Sequence, residues 1–170
     1  MIDQQTNVKS LFFWGHAPNS QTRGLDMKRA MNKLDLLVVV DPYPSATAAM
    51  AAMPAAEGDT VNKNRNVYLL PAATQFETCG TATASNRSLQ WREKVIDPLF
   101  ESVPDHVIMQ AFADRLGFGE KLSKNYKILN SKFAGKQWRE PQIEDILREI
   151  NRSCWTIGYT GQTPERLKAH

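Results

Sequence analysis

Residues Leu36–Tyr43 read Leu-Leu-Val-Val-Val-Asp-Pro-Tyr. Five aliphatic side chains in a row, three of them β-branched, suit a strand buried on both faces. Asp41 stops the run, and Pro42, which has no N–H to donate, ends the ladder. Strands of this kind belong to parallel sheets covered by helices. Open sheets of that class place their ligand-binding groups at the carboxyl ends of the strands. Asp41 is therefore the first position to weigh for function.

The surrounding chain supplies the other parts of such a sheet. Val8–Trp14 is β-branched and aromatic, a strand that ends at Gly15. Gly15–Thr22 is a loop rich in Gly, Pro, Asn and Ser. In Leu25–Leu34, Met27, Ala30, Met31 and Leu34 fall at i, i+3, i+4 and i+7, which predicts a helix. One helix between two buried strands is a βαβ unit with a right-handed crossover. Pro44–Met53 is a second helix, with Ser45 placed to cap it and Pro54 to end it. Glu57–Asn66 reads as an exposed loop and Val67–Leu70 as a third strand ended by Pro71. Gln75–Asn86 predicts loops with short strand pieces. Pro104–Leu116 predicts a helix with a stripe of Ile108, Ala111, Phe112 and Leu116, stopped by Gly117. Gly119–Lys136 is basic and poorly periodic. Pro141–Asn151 is the cleanest helix, with Ile143, Ile146, Leu147 and Ile150 in one stripe. The expected class is α/β: a mainly parallel sheet with helices on both faces, and a less regular C-terminal part.

Composition narrows the function classes. With 170 residues and 42% apolar content the chain can bury a sizeable core. A net charge of +3 argues against a dedicated nucleic-acid binder, which would gather basic residues on one face. No apolar run approaches the roughly 20 residues that span a bilayer, and the first residues lack the pattern of a secretory signal. Cys79 and Cys154 can pair only if the fold brings their Cα atoms within about 7 Å, and neither has a second Cys or His at zinc-ligand spacing.

Few residues stand out as chemical. Gly15 directly follows a buried strand; it either lets a ligand approach the backbone, with loop amides facing a phosphate, or only turns the chain. Asp41 either accepts hydrogen bonds from a ligand edge or bonds its own backbone in a turn. His16, His106 and His170 are scattered, and neither a Ser/His/Asp set nor an acid/base carboxylate pair can be assembled. Glu77–Trp91 is a long polar stretch without periodicity, a pattern common in functional or disordered segments; Phe76, Leu89 and Trp91 argue against disorder.

In order, the chain shows a strand ending in Gly-x-x-Pro, an amphipathic helix and Val-Val-Asp-Pro-Tyr before a Thr-Ala helix. Val-Tyr-Leu-Leu-Pro-Ala-Ala, Glu-x-x-Gly-Thr, Asn-Arg-x-x-Gln and a helix opening Pro-Asp-His follow. This ordered set resembles the molybdopterin oxidoreductase family. Gly80–Trp91 with Ile96-Asp-Pro, and the tail Ile150–Gly161, are most similar to the catalytic alpha subunit of molybdenum- or tungsten-dependent formate dehydrogenases. The resemblance implies a Rossmann-like domain over residues 1–118 that binds molybdopterin guanine dinucleotide, with a helical and irregular extension over 119–170. It implies Gly15 and Asn19 near the diphosphate, Asp41 near the guanine, and Asp105 as a further cofactor contact.

The metal ligand and the iron-sulfur cluster of such enzymes belong to the complete subunit, since two separated cysteines cannot supply four cluster ligands. The chain is thus expected to be an internal or C-terminal segment, with no catalytic or metal-ligating residue of its own. Its implied partners are the remainder of the catalytic subunit and an iron-sulfur electron-transfer subunit, in a periplasmic or cytoplasmic enzyme. A nitrate reductase of the same family and a non-catalytic α/β binding module are the alternative readings.

Overall fold

The computed structural model describes residues 8–16, 22–52, 58, 60–130, 137–153 and 161–169. The chain divides into two compact units, Met1–Ala72 and Ala73–His170. The expected division at residue 118 concerns which residues hold a cofactor, a property that compactness does not decide.

The first unit is built on three parallel strands in the order β1 (Ser10–Trp14), β2 (Leu36–Asp41), β3 (Asn66–Pro71). Trp14 pairs with Val40, and Asp41 with Pro71, so the carboxyl ends of the strands are level. The aliphatic run takes the central position, where Leu37, Val38, Val39 and Val40 are all buried. Each such side chain contributes about 1.5–3 kcal/mol when fully removed from water. Alternation sends Leu37 and Val39, with Leu11 and Phe13, to one face, where they meet Met27, Met31, Leu34 and Ala48. Those residues bring in α1 (Gly24–Met31) and α2 (Ala46–Ala52). Both helices of this unit therefore serve the same face. On the other, Phe12 and Tyr68 remain 46% and 54% exposed. Helices on both faces are not seen among the described residues of this unit.

Helix α1 stops earlier than its periodicity suggests. Lys33 N and Leu34 N bond to the carbonyls of Ala30 and Met31, three residues back, which tightens the last turn. Arg65 Nη1 donates to the Met31 carbonyl at 2.7 Å, and Asn62 Nδ2 to the Leu34 carbonyl at 3.1 Å. These loop side chains satisfy carbonyls that the helix end leaves open. At α2, the Ser45 carbonyl accepts from Ala48 N and Ala49 N, but its hydroxyl is buried without a partner and makes no cap.

The second unit carries two antiparallel pairs, β4 (Gly80–Thr83) with β5 (Leu89–Arg92) and β6 (Tyr126–Asn130) with β7 (Gln137–Pro141). The polar stretch after Glu77 is thus an ordered hairpin. Arg87 turns it at φ 67°, and Ala84 N bonds to Ser88 O. Helix α3 (Asp105–Arg115) buries Val107, Ile108, Gln110 and Ala113, while Leu116 is 71% exposed. The buried face is rotated from the apolar stripe because it admits a glutamine. Gln110 Nε2 donates to Asp114 Oδ1 at 2.8 Å and to the Gly119 carbonyl at 3.1 Å. Arg139 on β7 grips the Asp114 carboxylate and also pairs with Glu120 on α4 (Gly119–Leu122). α5 (Ile143–Ser153) buries Leu147, and α6 (Pro164–Lys168) is capped by Thr163 Oγ1, which accepts from Arg166 N.

Two loops of this unit are joined through one carboxylate. Glu77 is 3% exposed; Oε2 accepts from Thr74 N at 2.6 Å and Oε1 from Leu99 N at 2.8 Å. Burial works against its charge, but the two backbone N–H groups outweigh it and hold the carboxyl below its ordinary 4.5. A lowered folded pKa means that this contribution is complete above pH 4.5 and is lost as the pH falls through the folded value. Glu77→Gln turns an amide NH2 toward a backbone donor and should cost about 1–3 kcal/mol at neutral pH. Urea titrations at pH 7 and pH 4 should show the difference shrinking in acid; an equal gap at both would contradict it.

Gly119 is the second sensitive point. A Cβ there would lie 1.8 Å from Asp114 Oδ1 and 2.9 Å from its Cγ. The short Asp114 side chain can yield only by leaving Arg139 and Gln110. Gly119→Ala should therefore destabilise by about 1–3 kcal/mol, read as a lower denaturation midpoint; a change below about 0.5 kcal/mol would refute the clamp.

Candidate functional site

Parallel pairing brings the ends of β1 and β2 together. Gly15 N donates to the Val40 carbonyl at 2.9 Å, one residue beyond the last strand pair. Gly15 has φ +55°, and no atom lies within 4 Å of where a Cβ would be. The backbone is left-handed and open at the point where the first loop departs. The loop is then tied to α2, since the buried Thr47 Oγ1 donates to the His16 carbonyl at 3.0 Å. The His16 ring stacks on Phe13 with centroids 6.1 Å apart. Its imidazole is thus used in packing, on a loop that carries no carboxylate partner for it among the described residues.

Asp41 lies at the same edge. Its Oδ1 accepts from Tyr43 N at 3.1 Å, an Asx turn. The turn reading of this residue is therefore part of the structure. A carboxylate offers about four acceptor positions, however, and Oδ2 has no partner among the described residues. Nearby in sequence, Trp14 Nε1 at the end of β1 and Ser45 Oγ before α2 are buried polar atoms without a partner. Unpaired buried donors of this kind are rare. The edge thus combines an open left-handed glycine and a carboxylate with one oxygen unpartnered among the described residues. Such a set can hold a ligand with phosphate or base functions; it contains no acid/base pair.

Of the positions expected to bind a cofactor, Gly15 and Asp41 come together at this edge. Asn19 lies outside the described residues. Asp105 is the exposed first residue of α3, in the second unit. Thr47, Trp14 and Ser45 were not among the candidates. A single threonine inside an alanine-rich helix was the available signal for Thr47; nothing in the sequence marked the other two.

Elsewhere the titratable groups serve structure. His106 Nε2 lies 3.4 Å from Glu140 Oε1, and the ring beside it holds the Glu140 carboxyl below its ordinary value. Cys79 is a free, half-buried thiol whose pKa is raised by burial and then by Glu144, Glu140 and Glu93, so it stays protonated and unreactive at neutral pH. Cys154 lies outside the described residues. Among the described residues no three His, Cys, Asp or Glu side chains gather in a way that could hold a metal ion, and no helix is long and apolar enough to cross a membrane.

Known proteins share this sequence along nearly its whole length. The chain is 31% identical over 170 residues to the "F420-dependent formate dehydrogenase subunit alpha" of Methanocaldococcus jannaschii, covering 99% of this chain and 20% of that protein. It is 32% identical over 162 residues to a "Putative formate dehydrogenase" of Staphylococcus aureus (strain USA300), covering 95% of this chain and 13% of the relative. The chain thus spans about a fifth or less of the curated relatives it matches. Residues 1–115, which contain the whole parallel sheet and its carboxyl edge, match the molybdopterin oxidoreductase family, and the chain belongs to that family.

Proposed function

We propose that this chain is the part of a formate dehydrogenase catalytic subunit that holds one molybdopterin guanine dinucleotide at the carboxyl edge of its parallel sheet. The observation that carries the reading is the level placement of Gly15 and Asp41 on adjacent parallel strands. Family membership and the names of the relatives supply the cofactor class and the reaction. The residues present fit such a group. Gly15 leaves room for close approach of a diphosphate to the backbone, and Asn19, four residues on in sequence, is the proposed second contact. Trp14 Nε1 and Ser45 Oγ, in the same unit, are buried polar atoms without a partner. Asp41 has one oxygen without a partner among the described residues, available to the N–H groups of a guanine edge. When bound, the cofactor with its molybdenum or tungsten supplies the redox chemistry of formate oxidation; the task of these residues is to bind and orient it. The metal ligands, the iron-sulfur cluster and the electron-accepting partner belong to this proposal only through the complete subunit.

Asp41→Asn tests the site. Asparagine keeps an Oδ1 that can accept from Tyr43 N, so the turn and the melting temperature should survive. Its NH2 would instead meet the guanine donors, at a cost of about 2–4 kcal/mol in guanine-nucleotide affinity. Calorimetric titration of the variant with GDP reads this directly, and undiminished affinity would reduce Asp41 to a turn residue. A separate expectation is that the purified 170-residue chain supplied with cofactor does not oxidise formate with a dye acceptor. Measurable turnover would show that the catalytic machinery is contained in this segment.

A further inference from the structure

The turn that carries Asp41 also displays an aromatic ring in an unusual setting. Tyr43 is 69% exposed, and it stands between Pro42 and Pro44. Pro42 has its φ locked by its ring, and a residue that precedes a proline, as Tyr43 does, is confined to extended backbone. The Tyr43 N–H is committed to Asp41 Oδ1 at 3.1 Å. The backbone that bears the phenol is thus held on both sides and tied to the carboxylate itself. Among the described residues the ring has no hydrogen-bond, stacking or cation partner. A side chain that exposes this much apolar area on a pre-ordered backbone loses little conformational freedom when a flat ligand covers it.

Resting on the reading of the carboxyl edge as a nucleotide site, we propose that Tyr43 is the stacking platform for the purine base. Asp41 reads the hydrogen-bonding edge of the base while the Tyr43 ring covers its face. A base offers both functions at once, and the Asx turn holds the two protein groups that match them two residues apart. The division of labour is chemical: the edge distinguishes guanine from adenine, whereas every base presents a π face. Tyr43 is therefore a binding residue that raises affinity without selecting the base.

Titrating the purified chain with GDP, ADP and pyrophosphate separates these roles. Tyr43→Ala should weaken GDP and ADP by a common factor of about ten and leave pyrophosphate alone. Tyr43→Phe should bind like the wild type, and the melting temperature of both variants should match it, because the ring is exposed. Asp41→Asn should instead weaken GDP more than ADP. If Tyr43→Ala binds GDP as tightly as the wild type, or if Tyr43→Phe falls with it, the stacking role is wrong while the nucleotide site stands. If the wild-type chain binds no GDP, the site reading fails and this inference with it.

Discussion

The parallel pairing of β2 between β1 and β3 is the constraint on which the first unit depends. A central strand with aliphatic side chains on both faces must be flanked by hydrogen-bonding strands and roofed by apolar residues, because neither its backbone nor its side chains can face water. Met27, Met31, Leu34 and Ala48 supply that roof on one face. The same pairing sets the ends of β1 and β2 level, and this places Gly15 beside Asp41. Core and candidate site are therefore consequences of one register. A slip of one residue would turn Leu37 and Val39 off the helices and also separate the two loops.

The second unit is held differently. Its sheets are two-stranded and could not be stable by themselves. Polar staples hold loops and helices to them. Glu77 joins the loops at Thr74 and Leu99, and Arg139 joins β7 to α3 through Asp114. Gln110 fills a place that the apolar pattern would assign to an aliphatic residue. Its Nε2 is paired with Asp114 and the Gly119 carbonyl while its Oε1 is buried without a partner. The carboxylates at Glu77 and Asp114 help only while their donors are present, since a buried polar atom left alone costs more than the bond contributes. This is why single changes at Glu77 or Gly119 should weigh more than changes at the many exposed apolar positions of the same unit.

At the candidate site the two readings of Asp41 prove compatible. One oxygen closes the turn and the other has no partner among the described residues, so closing the turn leaves the carboxylate able to accept a further hydrogen bond. Thr47 fixes a second point there, holding the His16 carbonyl to α2. The Asx turn is a local bond and the Thr47 bond reaches across 31 residues; each fixes one backbone point at this edge by protein groups alone.

Pattern alone was enough to locate β1, β2, β3, α1, α2 and α5, although of these strands only β2 buries a continuous aliphatic run, Leu37–Val40, while β3 leaves Val67, Tyr68 and Leu69 exposed. Apolar runs and stripes are properties of the residues themselves, and a period of two or of 3.6 can be read without knowing the partner. The ordered motifs likewise carried the family. What the sequence could not express was decided by residues distant along the chain. Arg65 and Asn62 set where α1 ends, and Asp114 and Gly119 made Gln110 a buried residue. Strand β7 exists because Tyr126–Asn130 offers it an antiparallel partner, as Gln137–Pro141 has no alternating pattern of its own. The unpaired Trp14 Nε1 and Ser45 Oγ belong to the same class: a polar atom becomes an orphan only when folding has removed it from water and brought no partner. Periodicity is local, whereas satisfaction of hydrogen bonds is a property of the assembled molecule, and this difference separates what the sequence determined from what only the tertiary structure decided.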